Sequence, residues 1–216
     1  MTTRSHERRR EYDVRLPLNQ SVIVAGPSCS GKTSFVTQLL MNKERMLMEQ
    51  PRHILWFYGG CTKPVLPINS IHFIKGVPTE EQVSMFNHDV IVLDDLMNEA
   101  HKNPTLFSNL FTKTAHHQNC LIIFITQNLF ATARTQSINE HFLVLFQSVR
   151  DRLQISYLAR QMYPRNSNFL IDAFIDATQQ PHGYLLLDMR ATTPDEVRFR
   201  ANIFNDKQSV VYQPAT

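Results

Sequence analysis

The chain has 216 residues and a mass of 25.1 kDa, a length that suits one compact domain better than two. With 43% hydrophobic and 19% charged residues, 11 Pro and only 6 Gly, it is excluded from the collagen-like, low-complexity and wholly disordered classes. The balance of 22 Lys+Arg against 19 Asp+Glu names no partner, but 15 of those 22 cations are arginine, the residue better suited to phosphate and interface contacts.

Residues 1–15 carry five arginines against Glu7, Glu11 and Asp13, with no apolar stretch behind them. They are expected to form a flexible basic arm rather than a secretory signal. A buried strand follows at 21–25 (SVIVA), then a glycine-containing loop and a helix over 33–48 with apolar Phe35, Val36, Leu39, Leu40 and Leu47. Strands are predicted at 53–58, 71–74 and 89–94. A helix over 104–114 leads into a strand at 121–126 (LIIFIT), and another strand lies at 142–146 (FLVLF). Helices over 151–162 and 169–178 come next, followed by two strands at 184–189 and 197–203 that read as an antiparallel hairpin. Continuous apolar strands alternating with helices predict an α/β domain over 16–205: a mostly parallel central sheet with helices on both faces and a C-terminal antiparallel edge hairpin. Residues 206–216 are expected to be a tail. No run approaches the 18 apolar residues of a membrane span. Cys29, Cys61 and Cys120 form no CxxC pair and leave one thiol over in any disulfide scheme, which points to a reducing, intracellular compartment.

Gly26, Pro27, Ser28, Cys29, Ser30, Gly31, Lys32 and Thr33, followed by Ser34, satisfy the phosphate-loop pattern GxxxxGK(S/T). The match follows a predicted strand and opens a predicted helix, the context its chemistry requires. Backbone N–H groups of such a loop wrap a phosphate at a helix N-terminus. Lys32 then neutralises the β- and γ-phosphates of ATP, and the Thr33 hydroxyl ligates Mg²⁺. The run Val90, Ile91, Val92, Leu93, Asp94 and Asp95 delivers carboxylates to the end of a buried strand. Asp94 is placed to hold Mg²⁺, and Asp95 to polarise the attacking water, with Glu99 one helical turn on as the other candidate base. Gln127, at the end of another buried strand, is placed to sense the γ-phosphate or orient that water.

Two strand candidates lie between Lys32 and Asp94, and the acidic pair is followed by a Gln-bearing strand. This pattern resembles the ATPase division that inserts a strand between the phosphate-loop and acid strands, rather than nucleotide kinases of the guanylate-kinase type, although those share a GPSxxGK loop. From Asp94 onward the resemblance sharpens. The stretches at 94–99 (DDLMNE), 110–117 (LFTKTAHH), 125–130 (ITQNLF), 134–139 (RTQSIN), 150–151 (RD), 159–164 (ARQMYP) and 183–188 (GYLLLD) occur in the order found in packaging ATPases of the FtsK/HerA superfamily. The branch it most resembles is shared by poxvirus-type packaging ATPases, Polinton-like elements and related small animal DNA viruses, and the resemblance covers about residues 20–205. Two departures are Cys29, at a loop position often small or glycine, and Asp95, where many members carry Glu.

The resemblance implies a homo-oligomeric ring of P-loop ATPase subunits that drives double-stranded DNA into a capsid, with a capsid or portal-like protein as partner. It implies action in the nucleus or at a cytoplasmic assembly site of a host cell, or within the virion. DNA contacts in such a motor address the backbone rather than the bases. A ring also requires an arginine that reaches a neighbour's γ-phosphate. Between 131 and 165 the cations Arg134, Arg150, Arg152, Arg160 and Arg165 face only Glu140 and Asp151, and Arg134 is the first candidate, with Arg150 the second. Two other functions fit the same loop: a small-molecule or nucleotide kinase, and an ATP-gated assembly protein with little hydrolysis.

Overall fold

The computed structural model describes residues 13–60, 65–68, 70–127, 141–149, 152–205 and 209–214. Nine strands form one sheet, in the order β3-β2-β4-β5-β1-β6-β7-β8-β9. They are β1 (Ser21–Ala25), β2 (Ile54–Tyr58), β3 (Ile71–Lys75), β4 (Val90–Asp94), β5 (Leu121–Thr126), β6 (Phe142–Phe146), β7 (Tyr184–Asp188), β8 (Phe199–Ala201) and β9 (Val210–Tyr212). The six strands from β3 through β6 in that order are parallel, and β7, β8 and β9 continue the sheet antiparallel. The chain is therefore an α/β protein with a mostly parallel sheet and an antiparallel C-terminal edge.

Alternation along each central strand divides the core in two. Ile23, Phe57, Ile91, Leu93, Ile122, Phe124, Leu143 and Leu145 pack on one face, while Val22, Val24, Trp56, Val90, Val92, Ile123, Ile125 and Val144 pack on the other. Both faces are apolar because both are covered, which explains why these strands read as continuous hydrophobic runs. The second face is covered by α1 (Lys32–Met41) through Phe35, Val36, Leu39 and Leu40. The first is covered by α7 (Arg152–Met162) and α8 (Ser167–Ala177), and by a helical segment built from α5 (Pro104–Asn109), a π-helical turn over Leu110–Thr114, and α6 (Ala115–His117).

Three expectations about elements change. The helix expected over 33–48 breaks at Asn42, whose Nδ2 donates to Gln38 O at 2.8 Å, and resumes as α2 (Lys43–Met46). An Asn side chain competes in this way with the helical backbone ladder. Two short helices appear where none is predicted, α3 (Glu80–Met85) and α4 (Met97–Lys102). The first begins with a complete capping box between Thr79 and Gln82, a signal that was present in the sequence. The sheet edge is also extended: within the expected tail, Val210–Tyr212 forms β9 against β8. At the opposite terminus, the Val14 carbonyl accepts from Arg200 Nη1 at 2.6 Å. No helix among the described residues is long and apolar enough to cross a membrane.

Candidate nucleotide site

Parallel register brings the carboxyl ends of β1, β5 and β4 to one edge: Ala25 pairs with Thr126, and Ile125 with Asp94. Open α/β sheets bind their ligands at such an edge. Strand β5 lies between β1 and β4, as the Gln-bearing strand was expected to do, and Gly26 N donates to Thr126 O at 3.3 Å across the junction. Gln127 follows Thr126 as an exposed residue.

After β1 the chain turns tightly. Ser30 N donates to Pro27 O at 3.3 Å, and Phe35 N to Gly31 O at 2.8 Å opens α1. Gly31 precedes that helix with φ 107° and ψ 6°, a conformation in which a side chain is strained. A Cβ on Gly26 would lie 2.7 Å from Phe146 Cβ and 2.8 Å from Ser30 Oγ, so this position too admits only glycine. No side chain caps the start of α1 and no acid lies in its first turn, which leaves its N-terminal N–H groups and dipole to an anion. Ser30 Oγ is buried without a hydrogen-bond partner, a further orphaned polar group within the loop.

Lys32 is buried, and its Nζ donates to Gly26 O at 2.8 Å and Pro27 O at 2.7 Å. Burial pushes its pKa below the ordinary lysine value, while Asp94, Cys29 and Asp95 pull the other way. Asp94, at the end of β4, shows the converse. Burial raises its carboxyl above the usual range, Trp56 and Lys32 oppose the rise, and Asp95 adds to it. The Trp56 contact is a hydrogen bond from indole Nε1 to Asp94 Oδ2 at 3.2 Å. The site thus holds an under-solvated cation beside an under-solvated anion. A polyanion at Lys32 and a divalent cation at Asp94 would relieve both.

Lys32, Asp94 and Asp95 are brought within electrostatic reach of one another. Asp95 has φ 54°, the left-handed region that non-glycine residues adopt at a cost. The donors at hand for a metal are hard oxygens, the Asp94 carboxylate and the half-buried Thr33 hydroxyl, and such donors suit Mg²⁺. Ser28, Cys29 and Ser34 are exposed around the loop. Arg134 and Arg150 lie outside the described residues.

Sequence reasoning missed three contributors. Trp56 is core, as its apolar run predicts, but it also anchors Asp94. Gly59 sits against the turn after β4, where its N donates to Asp94 O at 2.9 Å. His182 approaches the loop from the chain before β7, its Nδ1 3.2 Å from Ser30 O. The pair Gly59-Gly60 after a strand was a visible signal; the other two contacts come from distant parts of the chain.

These features define the P-loop NTPase class of α/β fold. Among solved structures, the chain is similar to B204, the DNA-packaging ATPase of Sulfolobus turreted icosahedral virus, with a TM-score of 0.58 and 8% identity over 92% of this chain and 99% of that one. It is likewise similar to the genome packaging NTPase B204 of Sulfolobus turreted icosahedral virus 2. The complex with ATP-gammaS has a TM-score of 0.55 and 10% identity over 92% and 98% of the two chains. The complex with AMPPCP gives 0.57 and 9% over 91% and 98%. At this identity the likeness is one of fold. No family model and no curated protein sequence matches the chain.

Proposed function

We propose that this protein is the Mg²⁺-dependent ATPase subunit of a ring-shaped motor that moves double-stranded viral or transposon DNA into a capsid. The observation that carries the reading is the strand order. A Gln-bearing strand lies between the phosphate-loop strand and the acid-bearing strand, so Lys32, Asp94, Asp95 and Gln127 stand at one edge of the sheet, as this reading requires. The fold shared with viral packaging NTPases over nearly the whole of both chains supports the packaging role, as do the motifs that resemble the FtsK/HerA superfamily and its poxvirus-type and Polinton-like branch.

In this reading the loop 26–33 wraps the phosphates of ATP, and Lys32 exchanges its two carbonyl acceptors for phosphate oxygens. Thr33 and Asp94 hold Mg²⁺, which when bound shields the β- and γ-phosphate charge. Asp95 takes the proton of the attacking water, because it is the second carboxylate within electrostatic reach of Lys32, and Glu99 is the alternative. Gln127 orients the water. Arg134, or failing it Arg150, reaches the γ-phosphate bound by a neighbouring subunit. A homo-oligomeric ring on backbone-contacted duplex, a capsid or portal-like partner, and a place in the nucleus, at a cytoplasmic assembly site or in the virion complete the proposal.

Thin-layer analysis of labelled ATP with and without duplex DNA tests it. Free phosphate whose release rises with DNA is the expected result. Label carried to an acceptor would make the protein a kinase, and unreacted ATP would make it a nucleotide-gated assembly protein; either overturns the motor.

A further inference from the structure

We infer that His182, which lies outside the phosphate-loop motif, is a positioning residue for phosphate binding: by holding the Ser30 carbonyl it aims the Gly31 N–H at the anion. This rests on the reading of residues 26–33 as a triphosphate loop and names what keeps that loop in its binding shape.

A trans peptide plane carries its C=O and its N–H in opposite directions. The Ser30 carbonyl and the Gly31 N–H share such a plane, so whatever fixes the first sets the second. His182 Nδ1 lies 3.2 Å from Ser30 O. A carbonyl only accepts, so the ring nitrogen facing it carries the proton and donates. The Gly31 N–H is thereby turned away from His182, to join the N–H groups at the start of α1 that an anion satisfies. This plane is the one that needs a clamp. Rotating it turns ψ of Ser30 against φ of Gly31, and a glycine resists such rotation least; Gly31 has φ 107°. Within the loop, Ser30 N donates to Pro27 O, Phe35 N to Gly31 O, and Lys32 Nζ to Gly26 O and Pro27 O. None of these bonds holds the plane between Ser30 and Gly31.

The clamp is itself braced. His182 has φ 63°, a left-handed conformation that a non-glycine residue keeps only where its surroundings enforce it. Gly183 N donates to Gln180 O at 2.9 Å, and a Cβ on Gly183 would lie 2.5 Å from Ala177 O, so the turn sits tightly on the end of α8. Beyond the turn, Tyr184 pairs with Phe146 across β7 and β6. Gly31 is enclosed between the turn and β6: an added Cβ would come within 3.1 Å of His182 Cβ and Nδ1 and 3.2 Å of Phe146 Cε1. The antiparallel part of the sheet thus reaches back to shape the phosphate loop.

Calorimetric titration of the full chain in Mg²⁺ with ATP and inorganic tripolyphosphate tests the assignment. His182→Gly suits the left-handed backbone and removes the donor. His182→Ala removes the donor without loosening the turn. His182→Asn tolerates the same backbone and returns an N–H donor near the place of Nδ1. The glycine and alanine variants should each bind both ligands about tenfold more weakly, the equivalent of about 1.4 kcal/mol, while the asparagine variant stays within about twofold of wild type. His182→Gly should keep the wild-type Tm, which separates a misaimed loop from a weakened fold. Amide exchange read by NMR reports on the plane itself: tripolyphosphate should slow exchange of the Gly31 N–H in wild type and His182→Asn, and far less in the other two. Wild-type affinity in the glycine and alanine variants, with Lys32→Ala still impaired, overturns the role of His182 and leaves the phosphate loop standing. An asparagine variant as weak as the alanine variant overturns the hydrogen bond as the cause, and the proposal with it. Tripolyphosphate that fails to bind the wild-type chain, or binds regardless of Lys32, removes the phosphate loop and the positioning role together.

Discussion

Replacing Gly59 with alanine should damage catalysis from a position that touches no phosphate. A Cβ built on Gly59 would lie 2.2 Å from the Asp95 carbonyl oxygen, whereas ordinary contact begins at 3.4 Å, so the two backbones must part by about 1 Å. The obstacle is main chain rather than a flexible side chain. The parting is resisted by the hydrogen bond from Gly59 N to Asp94 O and by the left-handed conformation that Asp95 already adopts. Overpacking of this kind costs about 1–3 kcal/mol, a fall in Tm of roughly 2–12 °C for a chain of this size. A 1 Å misplacement of reacting groups costs about 10²-fold in rate. Steady-state phosphate release should therefore show kcat down by about two orders of magnitude, with KM for ATP little changed because the phosphate loop lies beyond β5. Gly76→Ala is the control. Gly76 has φ 91° with nothing within 4 Å of a built Cβ, so its alanine variant should lose some stability to backbone strain and keep its kcat. Wild-type kcat and Tm in Gly59→Ala would refute the claim that Gly59 fixes the position of the acid pair.

Trp56→Phe removes the indole donor from the half-buried Asp94, and the loss of a hydrogen bond to a charged group costs about 1.5–3 kcal/mol. Urea unfolding should show it, with a several-fold higher Mg²⁺ requirement for turnover; because Trp56 is the only tryptophan, wild-type fluorescence should also respond to Mg²⁺ with nucleotide. Burial and the neighbouring His116 push His141 down to about 4, so between pH 6.5 and 4 the unfolded chain binds a proton that the folded chain refuses, and stability falls as pH falls through that window. Thermal melts of His141→Gln across the same range should show a shallower decline; an identical slope would refute the assignment. Cys29 is an exposed thiol in the phosphate loop, and its alkylation, followed by peptide mass spectrometry, should be slowed by bound ATP; equal labelling with and without nucleotide would refute this. Subunits carrying Arg134→Ala mixed with subunits carrying Lys32→Ala should recover part of the ATPase activity, since one interface can pair an intact loop with an intact arginine; no recovery in confirmed mixed rings would move the role to Arg150 or within the subunit.

The parts of this site that were legible in the sequence are those whose chemistry is local. A phosphate loop is a turn whose glycines, lysine and hydroxyl are contiguous, and the apolar run ending in Asp94 and Asp95 declares both its burial and its position at a strand end. The same locality accounts for the strands, since 90–93 and 121–125 must be buried on both faces to be apolar at every position. Boundaries were less legible where a single polar residue decides them, as Asn42 does by bonding back to Gln38. Strand β9 was missed because its two valines are partly exposed at an edge and carry little of the buried pattern that marks a central strand.

The contributors that were missed share a different cause. Trp56 lies 38 residues before Asp94 and His182 lies 152 residues after Ser30, so neither contact leaves a mark in local spacing. Each became adjacent only through sheet order: β2 pairs with β4 in the register that sets Tyr58 opposite Asp94, and β7 pairs with β6 beside β1. The motif thus specifies the loop and the acid pair, while topology specifies which side chains stand against them. Residues of the second kind are constrained by neighbours rather than by motif. A chain can therefore keep the loop and the acid pair while changing what stands against them at 56 and 182.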